Sequence, residues 1–152
     1  MKKILLLAAF ASFTFVGCGD DDNTTSDSNN TPVASVNGKW KLVKAEYVAN
    51  GEVEIEDLKS ATCDYDFYDL KTGGLKDEVY HDESDNCNPD NWPGTWSYNE
   101  SNKYITMIDS DDNYTVVFQV VSLTTTEMKI KVISDDGEEL PAGYETFAYL
   151  KR

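Results

Sequence analysis

The chain is poor in the residues that most chemistry needs. It has one histidine, His81, and three cysteines, none in a C-x-x-C pair. With a single imidazole, general acid–base work would fall to carboxylates, tyrosines or lysines. A metal set built on paired histidines or clustered thiolates is excluded. There is no G-x-S-x-G and no phosphate-cradling glycine loop. Basic residues are also scarce: 13 Lys and Arg against 28 Asp and Glu leave a formal charge of −15. That balance opposes nucleic acid and anionic lipid as partners. The longest apolar run, Ile4 to Val16, has 13 residues, whereas a membrane-spanning helix needs roughly 20. Neither an enzyme nor a cofactor is expected.

The apolar run follows Lys2 and Lys3 and ends in Val16-Gly17-Cys18, the proportions of a secretory signal peptide. The ending resembles a bacterial lipobox, with Phe15 where leucine is usual. The resemblance implies cleavage before Cys18, a diacylglyceryl thioether and a fatty acyl (palmitate-type) amide. One acyl chain holds a protein marginally, and two or three hold it firmly. The alternative is an ordinary signal whose cysteine is incidental. Cys18-Gly19-Asp20-Asp21-Asp22 is similar to the export signal of lipoproteins displayed on the outer membrane of Bacteroidetes-type bacteria. That implies a cell-surface location. Otherwise the aspartates begin a solvated linker, and the periplasmic face stays open.

These features divide the chain into a signal peptide (1–17), a lipidated cysteine with an acidic tether (18–35) and a folded domain (36–152). Residues 19–35 lack aromatics and are mostly Asp, Asn, Ser and Thr, too polar to offset the entropy of ordering. Loss of Lys2 and Lys3 takes the formal charge from −15 to −17. Cys63 and Cys87 remain, and in an exported domain they are expected to form a disulfide.

The domain is rich in Tyr, Trp, Val, Ile and Thr, with frequent turn signals, a pattern that marks an all-β sandwich or barrel. Strands are expected at 39–48, 63–70, 75–81, 94–99, 103–108, 114–123, 127–134 and 144–151, with one short helical turn around Ile55 to Ala61. Met128, Ile130 and Val132 alternate with Glu127, Lys129 and Lys131, the period of a strand with one buried face. The later connections are too short for helical crossovers, so successive strands pair antiparallel. Eight strands in up-and-down order close most simply into a barrel, which removes exposed edges.

Gly38-Lys39-Trp40 resembles the G-x-W that opens the first strand of lipocalins. The resemblance implies that Trp40 closes the barrel floor against a basic residue of the last strand, here Lys151 or Arg152. Cys63, YDFYDLKTGG, Cys87 and Gly94-Thr95-Trp96-Ser97-Tyr98 are also similar to the lipocalin-like domains of Bacteroidetes surface lipoproteins. The T-D-Y-type motif of secreted animal lipocalins is absent, so their lipid transport does not carry over.

An eight-stranded barrel either fills itself with side chains or holds one small ligand. Trp40, Phe67, Trp96, Tyr104 and Phe118 are the aromatics expected to face inward, as core or as the lining of a pocket. No metal site is expected. Asp82, Asp85, Asp109 and Asp111 offer hard oxygen donors of the kind calcium takes, but their loops lack the EF-hand register. Trp92 is expected at the barrel mouth, as a plug or a platform for a sugar ring. Two functions follow. One is an outer-membrane-anchored lipoprotein binding a small apolar or amphipathic ligand in the barrel. The other is a filled barrel that engages envelope protein or glycan through its loops.

Overall fold

A computed structural model describes residues 33–152. The signal-like segment, Cys18 and tether residues 19–32 lie outside the described residues. Among the described residues there are ten strands: β1 (Gly38–Ala49), β2 (Glu52–Asp57), β3 (Phe67–Leu70), β4 (Leu75–His81), β5 (Pro89–Asn99), β6 (Tyr104–Asp109), β7 (Thr115–Leu123), β8 (Glu127–Asp135), β9 (Glu138–Glu139) and β10 (Tyr144–Lys151). Eight of them close a ring in the order β1-β3-β4-β5-β6-β7-β8-β10, with β10 pairing both β8 and β1. Every pairing is antiparallel. The expected eight-stranded up-and-down barrel is therefore the fold, and its backbone donors and acceptors have no open sheet edge to satisfy.

The two extra strands are hairpin extensions. β2 pairs with the second half of β1, and β9 with the end of β8. This corrects the helical turn expected around Ile55 to Ala61. Asn50 and Gly51 both have positive φ (53° and 89°), the geometry of a two-residue hairpin turn that returns the chain along β1. Asp136 and Gly137 repeat that arrangement between β8 and β9 (φ 49° and 81°). Among the described residues the one helical element is a 3₁₀ turn at Glu83–Asp85, capped by the Asp82 carboxylate, which accepts from Ser84 N at 2.7 Å. β5 also begins earlier than expected, at Pro89, which shortens the acidic loop before it.

Strand direction gives the barrel two unlike ends. β1, β4, β6, β8 run from the floor to the mouth, and their partners run back. Inward side chains pack as one core of Trp40, Leu42, Leu70, Ile105, Val120, Met128, Ile130 and Leu150, concentrated toward the floor. At the mouth Cys63, before β3, bonds to Cys87, after β4, closing a loop with a sequence separation of 24. The expected disulfide thus ties together the connections at the mouth ends of the paired strands β3 and β4.

Candidate functional site

The floor is closed by one aromatic–cation stack. Trp40 is 0% exposed, and its indole N–H donates to Val36 O at 2.7 Å. The Arg152 guanidinium lies over the ring at 4.0 Å and donates to the carbonyls of Ser35 and Asn37. Gly38, beside this stack, has a φ of 123°, a backbone conformation that glycine adopts without strain. Of the two basic residues expected to meet Trp40, Arg152 does so. Lys151 instead points outward to Glu127, 2.9 Å away on the exposed wall.

The opposite half of the interior is open. A cavity of about 700 Å³ is bounded by Met107, Val116, Phe118 and Val132 on its apolar side. Tyr68, Tyr80, Trp92 and Tyr114 supply aromatic surface, and Glu78, Asp109, Asp112 and Asp135 supply carboxylates. The geometry follows from β4. Its register against β3 and β5 places Lys76, Glu78 and Tyr80 on the inner face, opposite Leu70, Tyr68, Gly94, Trp92 and Asp90.

Lys76 is 1% exposed. A buried ammonium is costly unless it is paired and hydrogen-bonded, and Lys76 is both. It bonds Glu78 Oε1 at 2.7 Å, forms an ion pair with Asp109 across β5 at Gly94, and reaches Trp92 O at 3.5 Å. Gly94 makes room for it. A Cβ at that position would lie 2.8 Å from the Lys76 Cε and 2.1 Å from Ile108 O, so only glycine lets lysine and β6 approach together.

The tyrosines extend this network. Tyr80 donates to Glu78 Oε2 at 2.8 Å, and Tyr114 donates to Asp135. Burial, reinforced by the Glu78 charge, pushes the Tyr68 and Tyr80 hydroxyls well above the ordinary phenol range. The hydrogen bond to Asp135, with burial, pushes Tyr114 up to about 12. All three stay protonated donors under any physiological condition. Trp92 forms part of the rim, 46% exposed. Its indole N–H is held by Asp90 at 2.8 Å, and its ring stands edge-on to Tyr80 at 6.0 Å. It borders the mouth without plugging it.

The five aromatics expected to line the interior divide three ways. Trp40 and Trp96 point inward near the floor, where Trp96 donates to Lys71 O at 2.9 Å. Phe118 alone of the five borders the cavity. Phe67 and Tyr104 face outward, a correction that register explains. Phe67 pairs with Lys41 and Val79 on the outer face while its neighbour Tyr68 takes the inner one. Tyr104 likewise alternates with buried Ile105. Phe67 lies in an outer groove of about 560 Å³ with Lys39, Lys41 and His81, and the Lys39 ammonium sits 3.4 Å over its ring.

Of the four candidate cation ligands, Asp82 caps the 3₁₀ turn and Asp85 lies within it. Asp109 holds Lys76 inside the barrel, and Asp111 lies in the β6–β7 turn. Among the described residues no group of three or more His, Cys, Asp and Glu side chains is placed to hold a metal ion. Lys76, Glu78, Tyr68, Tyr80, Tyr114 and Asp135 carry the cavity's chemistry, and none of them stands out in the sequence. The one available signal was Gly94, a glycine in mid-strand, which often marks a close approach.

A closed eight-stranded antiparallel barrel with a capped floor and an open interior is a fold compatible with holding one small ligand. The family described as "Lipocalin-like domain" matches residues 36–130, and the chain belongs to that family. No curated protein matches the chain. Two solved structures are similar to it. One is a lipocalin-like protein from Bacteroides uniformis, at 18% identity and TM-score 0.49, covering 76% of this chain and 96% of that one. The other is an uncharacterized protein from Bacteroides eggerthii, at 17% identity and TM-score 0.48, covering 76% and 98%.

Proposed function

We propose that this chain is a non-catalytic, lipid-anchored binding protein of the bacterial envelope that holds one small amphipathic ligand inside its barrel. The observation that carries the reading is the open interior of about 700 Å³, apolar along Met107, Val116, Phe118 and Val132 and polar elsewhere. Small-ligand sites have this mixed lining within a similar volume range. The titratable side chains of the cavity are held in fixed pairs, Lys76 with Glu78 and Asp109, Tyr80 with Glu78, Tyr114 with Asp135. That arrangement favours orienting a ligand over moving protons. The same opening argues against a barrel filled by its own side chains.

The anchor belongs to the same proposal and rests on Val16-Gly17-Cys18 and the aspartates that follow. Cys18 would attach the protein to the outer membrane, with the acidic tether holding the barrel away from anionic headgroups. Native mass spectrometry of protein purified from its host tests the binding role: a co-purifying small molecule supports it, and uniformly ligand-free protein that also fails to take up added amphiphiles refutes it. Cys18→Ala should abolish fatty-acid labelling and release a soluble form, and undiminished membrane attachment would defeat the anchor. Protease shaving of intact cells should remove the barrel. Resistance to it would place the barrel on the periplasmic side.

A further inference from the structure

The charges lining the cavity are unbalanced, and the imbalance has a sign. Glu78, Asp109, Asp112 and Asp135 border it, and the one ammonium among them is Lys76. Four carboxylates against one ammonium leave a formal surplus of three negative charges. An ammonium has three protons to donate. Those of Lys76 are directed at Glu78 Oε1, Asp109 Oδ1 and Trp92 O. A fatty acid or other anion entering the cavity would therefore meet carboxylates, with the lysine already occupied.

The opposite ligand charge fits. Each carboxylate oxygen can accept more than one hydrogen bond, so Glu78, which receives Lys76 and Tyr80, and Asp135, which receives Tyr114, retain acceptor capacity. Tyr80, Trp92 and Tyr114 surround the same space, and aromatic faces attract cations, most strongly where water is thinned out. Beyond them Met107, Val116, Phe118 and Val132 form an apolar wall suited to a hydrocarbon tail or ring. The carboxylates lie around the wall on β4, the end of β6, the β6–β7 turn and β8, and do not converge as ligands of a metal ion. The formal charge of the whole chain, −15, further enriches cations near the mouth.

Resting on the ligand-binding role proposed above, we infer that the cavity selects a cationic amphiphile: an organic ammonium whose charge lies among Glu78, Asp109, Asp112 and Asp135 and whose apolar part lies against Phe118 and Val132. The aromatic rim and the surplus of carboxylates act on the same group, and neither gives anything to an anion.

Three eight-carbon probes test this on the full chain carrying Cys18→Ser: octylammonium, octanoate (whose carboxyl carbon is one of the eight) and octan-1-ol, the like-tailed neutral reference, titrated at pH 7 by calorimetry. Octylammonium should bind at least about tenfold more tightly than either of the others, a difference of about 1.4 kcal/mol. That advantage should shrink with added salt. In the double variant Asp112→Asn, Asp135→Asn the preference for the ammonium over octan-1-ol should fall severalfold, with an unchanged far-ultraviolet circular dichroism spectrum showing that the barrel is intact. Octanoate or octan-1-ol binding as well as octylammonium would overturn the charge selection and leave the ligand-binding role standing. No binding of any probe would overturn both. A preference that the double variant does not reduce would overturn the assignment to these carboxylates.

Discussion

The two ends of this barrel solve the same problem in opposite ways. Each holds a cation in place, exposed over the outside of the floor in one case and buried in the interior in the other. At the floor Arg152 lies flat on Trp40, with backbone carbonyls accepting its protons. No carboxylate is needed there, and the end is sealed. In the outer half Lys76 is held by two carboxylates, which in turn gather tyrosines around an open space. The floor therefore contributes stability and a fixed barrel closure. The mouth half gives up packing to keep a charged, hollow interior. Sites built for function commonly break a local rule in this way and are stabilised by the structure around them.

Substituting the floor should give the largest effect. Trp40→Ala removes the largest fully buried side chain and the platform for Arg152, and should cost about 3–5 kcal/mol in urea unfolding. Val132→Ala, on the cavity wall, should cost only about 1 kcal/mol. Equal losses at the two sites would remove the contrast between a sealed end and an open one.

Lys76→Met tests the mouth half. It leaves Glu78 and Asp109 buried together without their counter-ion, at a cost of about 3–5 kcal/mol. The triple variant Lys76→Met, Glu78→Gln, Asp109→Asn should recover most of that loss. If the single variant is neutral, the ion pairs contribute nothing to holding this half together.

The disulfide ties only the mouth. Reduction, or Cys63→Ser with Cys87→Ser, should lower stability by about 3–4 kcal/mol through the loop of separation 24 that it closes. Hydrogen exchange should rise first in the connections around residues 58–66 and 82–88, while amides of β1 near Trp40 stay protected. Uniform loosening would contradict the division.

The smallest effect is a titration. Tyr114 has a folded pKa of about 12 against an ordinary 10.0, and Tyr68 and Tyr80 are shifted the same way. A raised folded pKa means the stabilisation is complete below pH 10 and is lost as pH rises toward 12. Ultraviolet titration at alkaline pH should show these phenols ionising late, together with loss of native structure, and Asp135→Asn should bring Tyr114 back toward 10. Tyrosines that all titrate near 10 in the folded protein would contradict the network.

The contrast between the ends also explains what could be read from the sequence. The floor and barrel strands obey ordinary rules. Met128, Ile130 and Val132 alternate with lysines and face inward as that pattern implies, and Trp40 meets Arg152, the basic residue just after the last strand. β4 inverts the rule. In LKDEVYH the apolar Leu75 and Val79 share the outer face with Asp77, while Lys76, Glu78 and Tyr80 turn inward. Period-2 patterning allows either face, and only the register with Gly94 and Asp109 decides between them. Phe67 and Tyr104 were misjudged for the same reason, since each adjoins an apolar residue that takes the inner face. The β1–β2 hairpin replaces the helical turn expected around Ile55 to Ala61, although Asn50-Gly51 is a strong hairpin-turn pair. The acidic EVEIED that follows alternates as a strand does, with both faces exposed.

Three indole N–H signals read this barrel directly: Trp40 and Trp96 at the floor, Trp92 at the mouth. In a proton–nitrogen spectrum of the Cys18→Ser chain titrated with octylammonium, the Trp92 signal should move progressively and saturate, while the Trp40 signal stays fixed. Movement confined to Trp40, or no saturable change in any of the three, would contradict a barrel sealed at one end and hollow at the other.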